Sequence, residues 1–330
     1  MNVLFLIGNG FDINIGLNTR FKDALNTYLK DQNDDLRIQK FKKDISQDFE
    51  NWSDFEKQMG IYTENFTQQN IEDYYFCINN FRESLAKHLK DQELRINYNA
   101  NKEDIISIFG KSIIEFYNGL ILTSQNRIKS IVNLNEQILY NFMTFNYTNI
   151  LEHCLEILKT EMKPFNPNRP NDHINKILHI HGTTEENLIL GVDNIEQIKN
   201  KELLDEEKLH WTIAKPIINR ELGNQTDREG ASLINNSRII CIFGLSLGET
   251  DKSWWQSIGQ WLQDTNRHLV IFDKVPKWNH LHPVESIEKR KALSKKFFLS
   301  ADITKNQNAY MDRIHIGFNT DMFKLDLTKK

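Results

Sequence analysis

Five short apolar runs, each passing into a polar or glycine-containing segment, constrain the fold of this chain more than any other feature. Asn2–Ile7 (NVLFLI) leads into GNGFD, and Gln137–Tyr147 (QILYNFMTFNY) ends in FNYT. Lys176–Thr183 (KILHIHGT) contains HIHG, Arg238–Gly244 (RIICIFG) leads into FGLSLGETD, and His268–Asp273 (HLVIFD) ends in an acid. Continuous apolar runs of this length read as strands buried on both faces; separated by helical stretches, they imply a parallel sheet covered by helices. Ligands of such sheets bind beyond the carboxyl ends of the strands. An α/β fold with one functional edge is the expectation.

Residues 20–127 carry apolar residues every three or four positions, as in Phe21, Leu25 and Leu29, or Tyr74, Ile78, Phe81 and Leu85. That period predicts helices. Residues from about 20 to 130 are therefore expected as a large helical insertion after the first strand, inside a single domain spanning 1–330. Asn18 or Thr19 is the expected cap of the first long helix. Ile150–Thr160 reads as a helix, Leu203–Arg220 as a looser one, and Leu188–Val192 and Phe323–Leu327 as short strands.

Composition narrows the function. The 330 residues suffice for one large core or two small ones. The 41 Lys and Arg against 45 Asp and Glu, a formal charge of −4, argue against a protein that lives on nucleic acid. No stretch matches a transmembrane helix or a secretory signal. Cys77, Cys154 and Cys241 are scattered, which speaks against a zinc ribbon or a disulfide framework and for a reducing cytoplasm. Trp254 and Trp255 read as helix packing, and the basic run Lys289, Arg290, Lys291, Lys295 and Lys296 as a solvated helix face.

The strand endings carry the chemistry. Gly8 and Gly10 flank Asn9 in a strand-to-helix turn, where glycine permits φ > 0 or close approach of a ligand. Such a turn can hold a pyrophosphate on its backbone N–H groups. An ordinary tight turn uses the same residues, and the next glycine, Gly16, does not complete G-x-G-x-x-G. Asp12 suits a ribose hydroxyl or the N–H groups of its own loop. Asn146, between Thr144 and Thr148, offers both a donor and an acceptor to a ribose and a water, although a plain asparagine turn is also consistent. His179 and His181, two apart, are expected on one strand face. They form either a metal pair or an acid–base residue, His181, supported by His179. Gly244-Leu-Ser246-Leu-Gly248 fits a nucleophile elbow, with Asp273 and then His280 or His282 as partners. The stronger histidine, His181, precedes the serine, against that chain order.

Together, GNGFD, FNYT, HIHG, GLSLGETD and the terminal strand acid resemble the AbiH family of bacterial phage abortive-infection proteins. LFLIGNGFDINIGLNTRFKDAL is the most specific part, and NWSDFE with Asp54 and Glu56 fits too. Through the same motifs the chain is distantly similar to the sirtuin-like NAD-binding fold. That resemblance implies a parallel Rossmann-like sheet, NAD as ligand or substrate, and no metal. Carried over by position, Gly8, Gly10 and Asp12 form a phosphate loop, Asn146 stands at the nicotinamide ribose, and His181 is the catalytic histidine. Gly244 and Ser246 hold the dinucleotide backbone and Asp273 lies near the adenine ribose. Asn9, Thr144 and Asp251 join the cofactor-binding set.

The departures are specific. Asn18-Thr19-Arg20-Phe21 replaces the sirtuin proline-aspartate-phenylalanine-arginine segment, Thr148 replaces an aspartate, and the four-cysteine zinc module is missing. Loss of that module removes the expectation of protein deacylation. Hydrolysis of NAD to nicotinamide and ADP-ribose in phage defence is the activity implied. The alternatives are a nucleotide sensor without turnover, a metal hydrolase using His179 and His181, and a serine hydrolase. A dinucleotide is the expected partner; a phage-derived trigger and a homo-oligomer are compatible with this reading, whereas a membrane and nucleic acid are not expected.

Overall fold

Six strands form one sheet: β1 Asn2–Ile7, β2 Leu139–Thr144, β3 His173–His179, β4 Ile239–Phe243, β5 His268–Asp273 and β6 Ile314–Phe318. The computed structural model describes residues 1–134, 136–276 and 281–329; His280 lies outside the described residues. All strand pairs are parallel and the order is β3-β2-β1-β4-β5-β6. Register aligns Ile7 with Thr144 and Phe243, Thr144 with His179, and Phe243 with Phe272. The strand ends are therefore level, and their polar extensions emerge along one edge.

Alternation of side chains explains why the runs are apolar throughout. Val3, Phe5 and Ile7 face a layer that includes Phe109, Ile131 and Leu155. Leu4 and Leu6 face Trp255 and Trp261 of the helix Lys252–Trp261, and Phe297 of the helix Pro283–Ser300. Trp254 and Trp255 are thus buried packing residues, as expected. Lys291, Lys295 and Lys296 are exposed on the last long helix. The three cysteines are buried free thiols. Among the described residues no helix is long and apolar enough to cross a membrane.

Helices do fill the segment between β1 and β2, and they divide into two groups. Phe21–Lys30, Leu36–Gln47, Phe55–Tyr62 and Ile71–Glu93 build a separate hydrophobic cluster, in which Phe55 stacks on Phe81 at 3.9 Å. Leu190, Val192, Leu203, Leu209 and Ile213, from after β3, complete that cluster. Residues such as Ile105, Phe109 and Ile128 instead pack on the sheet.

Several local expectations are corrected. Leu188–Val192 forms no strand; its residues serve the helical cluster, and Val192 makes an isolated bridge to Ala214. Phe323–Leu327 is irregular, with Phe323 at φ 51° and packed into the core, while the last strand lies earlier, at Ile314–Phe318. The cap of Phe21–Lys30 is Arg20, whose N–H donates to Asp23 at 3.2 Å, not Asn18 or Thr19. Thr19 is committed to Asn9 instead.

His268 on β5 and His315 on β6 meet ring to ring, 3.1 Å between Nδ1 and Nε2. Burial lowers His268 to about 4, with Arg127, Arg313 and Arg238 adding to the effect. Burial and His268 lower His315 to about 3. An unfolded histidine titrates near 6.5, so as pH falls below that value the unfolded chain takes up protons that the folded chain refuses. Stability should fall from pH 6.5 toward pH 4, by roughly 1.4 kcal/mol per pH unit for each histidine. Thermal melts of His315→Gln should show a shallower acid decline than wild type; an equal slope would refute the assignment.

Candidate functional site

The level strand ends surround a cavity of about 790 Å³, lined by segments that follow all six strands. Phe21, Glu56, Leu85 and Leu89 of the helical cluster close one side. Of the residues anticipated from sequence, Asn9, Gly10, Asp12, Asn146, His181, Gly244, Ser246, Asp251 and Asp273 line the cavity. Gly8 and the fully buried Thr144 stand behind it.

The turn after β1 is built differently from a bare phosphate loop. The Gly8 N–H donates to the Phe243 carbonyl and the Gly10 N–H to the Gly244 carbonyl, both at 2.9 Å, while the Phe11 N–H donates to Gly8. The expectation that the Gly8 and Gly10 amides face a pyrophosphate is thereby corrected: β4 and its extension use them. A Cβ on Gly10 would lie 2.4 Å from the Gly244 Cα, and Gly244 itself has φ +71°. These glycines let two turns touch at the point where strand order reverses.

Asp12 accepts from Asn146 Nδ2 at 2.9 Å and from the Thr148 hydroxyl at 2.8 Å, rather than from its own loop. The Asn146 N–H donates to Thr144 Oγ1. With Nδ2 donating to Asp12, the Asn146 amide turns its oxygen away from that carboxyl. Asn146 Oδ1 is left pointing elsewhere, buried and without a hydrogen-bond partner in the chain.

Burial pushes Asp12 up to about 7, assisted by Glu93 and opposed by its bonds from Thr148 and Asn146. The folded carboxyl therefore keeps a proton that the unfolded one loses near 3.8, and its contribution to stability declines as pH rises from about 4 to 7. Asp12→Asn should remove this decline. The gap in melting temperature between variant and wild type should widen in the variant's favour up to pH 7 and then level off; a constant gap would contradict the titration.

His181 lies beyond the end of β3, so strand alternation does not relate it to His179, and the shared face expected for the two is corrected. His179 lies 3.4 Å from Glu152 and lines a different cavity, of about 580 Å³. His181 Nε2 meets Asp251 Oδ1 at 2.9 Å. Opposite a carboxylate that nitrogen carries the hydrogen, which makes Nδ1 the acceptor. Nδ1 is buried and without a partner in the chain. Among the described residues no group of three or more His, Cys, Asp or Glu is arranged to hold a metal ion.

A buried ionic chain supports His181 and was not read from the sequence. Asp251 Oδ1 also accepts from Lys215 Nζ at 2.9 Å, and Lys215 reaches both Glu56 oxygens at 3.3 and 3.2 Å. Glu56 accepts further bonds from the Tyr147 hydroxyl and the Gly191 N–H. Burial raises Asp251, but Lys215 and His181 outweigh it and hold the carboxyl below its ordinary range. The one sequence signal was a single lysine inside the apolar stretch Ile213–Ile217.

Ser246 is exposed on the cavity wall. The positive φ values of its segment fall on Gly244 and Leu247, and the helix begins only at Lys252. His181 is bonded to Asp251, not to this serine. Asp273 ends β5 with Oδ1 accepting the Lys274 N–H at 2.8 Å.

The model of the family described as bacteriophage abortive infection AbiH matches residues 4–273, from β1 to the last residue of β5. A search of curated proteins finds no match. With 270 residues matched, including the cavity residues that follow β1 to β4 and Asp273 at the end of β5, the chain belongs to the AbiH family of bacteriophage abortive-infection proteins.

Proposed function

We propose that the chain serves phage abortive infection by binding NAD in the strand-end cavity and hydrolysing it to nicotinamide and ADP-ribose. The observation that carries this reading is the pair of buried, unpartnered acceptors, Asn146 Oδ1 and His181 Nδ1, each on a side chain bonded through its other polar atom to an aspartate. Buried polar atoms are ordinarily satisfied, so unpartnered acceptors on two residues that line a cavity suit a ligand that donates to them.

The strand order supports a Rossmann-like, sirtuin-like assignment, because doubly wound sheets of this order bind dinucleotides where the order reverses. The cavity volume lies within the roughly 300–1,000 Å³ of ligand sites. The helical segment of residues 20–130 contributes a wall of the cavity, which favours reading it as an insertion that covers the site.

In this mechanism Asn146 positions the nicotinamide ribose and an attacking water. The water oxygen bonds to the anomeric carbon as the glycosidic bond breaks, and the bonding pair passes to the pyridinium nitrogen, giving neutral nicotinamide. His181 Nδ1 takes the proton lost by the water. The leaving group departs as a neutral molecule, so positioning contributes more than acid strength. Asp251 and Asp12 act through His181 and Asn146. Asn9, Gly244, Ser246 and Asp273 are available to the remainder of the dinucleotide.

Nicotinamide release from NAD by the purified protein, measured beside NAD binding, tests the reading. Release supports it. Binding without release would replace it with a nucleotide sensor, and neither binding nor release would overturn it.

A further inference from the structure

We propose that Lys215 weakens the pull of Asp251 for a proton on His181, and so favours the proton-accepting imidazole, by meeting the same carboxylate oxygen with a positive charge of its own. The assignment rests on the reading of His181 as the proton acceptor.

Its basis is geometric. One oxygen, Asp251 Oδ1, accepts from both Lys215 Nζ and His181 Nε2, each at 2.9 Å. The Lys215 side chain is 5% exposed and Glu56 only 9%, so solvent screens these charges weakly. Two carboxylates therefore share one ammonium in a buried setting. A carboxylate within about 4–6 Å favours the charged form of a neighbouring base, and a like charge disfavours it.

The other groups around His181 cannot replace the lysine. Asp193 and Asp227 lie with it around a neighbouring cavity of about 220 Å³, in which Lys215 is the one cationic side chain among the described residues. Tyr147, whose ring lies 6.2 Å away, donates its hydroxyl to Glu56. Without Lys215, His181 would be the nearest group able to neutralise Asp251. An imidazolium there would have no lone pair for a water proton.

Burial alone would lower Lys215, but Asp251 and Glu56 outweigh it and keep the ammonium charged. Lys215 precedes Pro216 at the start of the helix Lys215–Glu221, while Glu56 lies on the helix Phe55–Tyr62. The charge on the imidazole is thus set by residues from two distant parts of the chain.

The test is an NMR titration of the full-length protein carrying isotope-labelled histidine, with the His181 signal identified by its loss in His181→Gln. Lys215→Met should move the His181 midpoint upward by about one pH unit or more, a tenfold change in protonation. Lys215→Arg, which keeps the charge, should stay near wild type. Glu56→Gln removes a negative charge and should move the midpoint downward, which keeps the proposal testable if Lys215→Met does not fold. An unchanged midpoint in folded Lys215→Met, or in Glu56→Gln where the first variant is unfolded, would overturn the assignment. Because the readout uses no NAD, a shifted midpoint in a protein that fails to cleave NAD would discard the proposed reaction and leave the role of Lys215 standing.

Discussion

Asn146→Ala and His181→Ala should each lower nicotinamide release by about a hundredfold or more, the usual range for losing a positioned polar group or a general base. The two losses have different physical causes. His181→Ala removes the proton acceptor and leaves Asp251 bonded to Lys215, so the fold should survive. Asn146→Ala removes the amide of a cavity-lining residue and also one of the two side-chain hydrogen bonds that Asp12 receives. A lost hydrogen bond to a buried group costs roughly 1–3 kcal/mol, so this variant should melt lower than His181→Ala. Initial rates of nicotinamide formation beside thermal melts check both points. Either variant retaining more than half the wild-type rate would remove that residue from the mechanism.

The second large effect is on stability. Gly10→Ala would place a methyl carbon 2.4 Å from the Gly244 Cα, against backbone that cannot rotate away. Relief requires separating the turns after β1 and β4, which are tied by the bonds from Gly8 and Gly10 to Phe243 and Gly244. Overpacking alone costs roughly 1–3 kcal/mol. Two strained backbone bonds should bring the total to about 3 kcal/mol or more, a large fraction of an ordinary domain's stability. Gly248→Ala is the control: its nearest neighbour is the Ser246 hydroxyl at 3.3 Å and its φ is not positive. Denaturant melts should show Gly10→Ala far less stable than Gly248→Ala. Equal midpoints would mean that the contact between the turns contributes little.

Much of the sheet was legible because its strands are short and apolar on both faces. The bounds of β1 and β5 match the expected ones, and β4 differs by one residue at each end. β6 was not legible. Its sequence, IHIGF, mixes a histidine and a glycine with apolar residues, and the buried contact of His315 with His268 is visible only once β5 lies beside it. Leu188–Val192 misled for the opposite reason: an apolar run signals burial, and here the burial is against helices more than a hundred residues earlier.

The sequence by itself determined that polar residues follow each apolar strand and that parallel pairing would bring them to one edge. Local composition carries that information, because the period of apolar residues records which faces are buried. Only the tertiary structure decided what each of those residues does. The Gly8 and Gly10 amides turned from a ligand to β4, Asp12 from its own loop to Asn146, and His181 from His179 to Asp251. Lys215, 159 residues from Glu56 and 36 from Asp251, became part of the site in the same way. Hydrogen bonds and ion pairs act over a few ångströms, so their partners are chosen by the packing of distant segments, and no spacing along the chain encodes them.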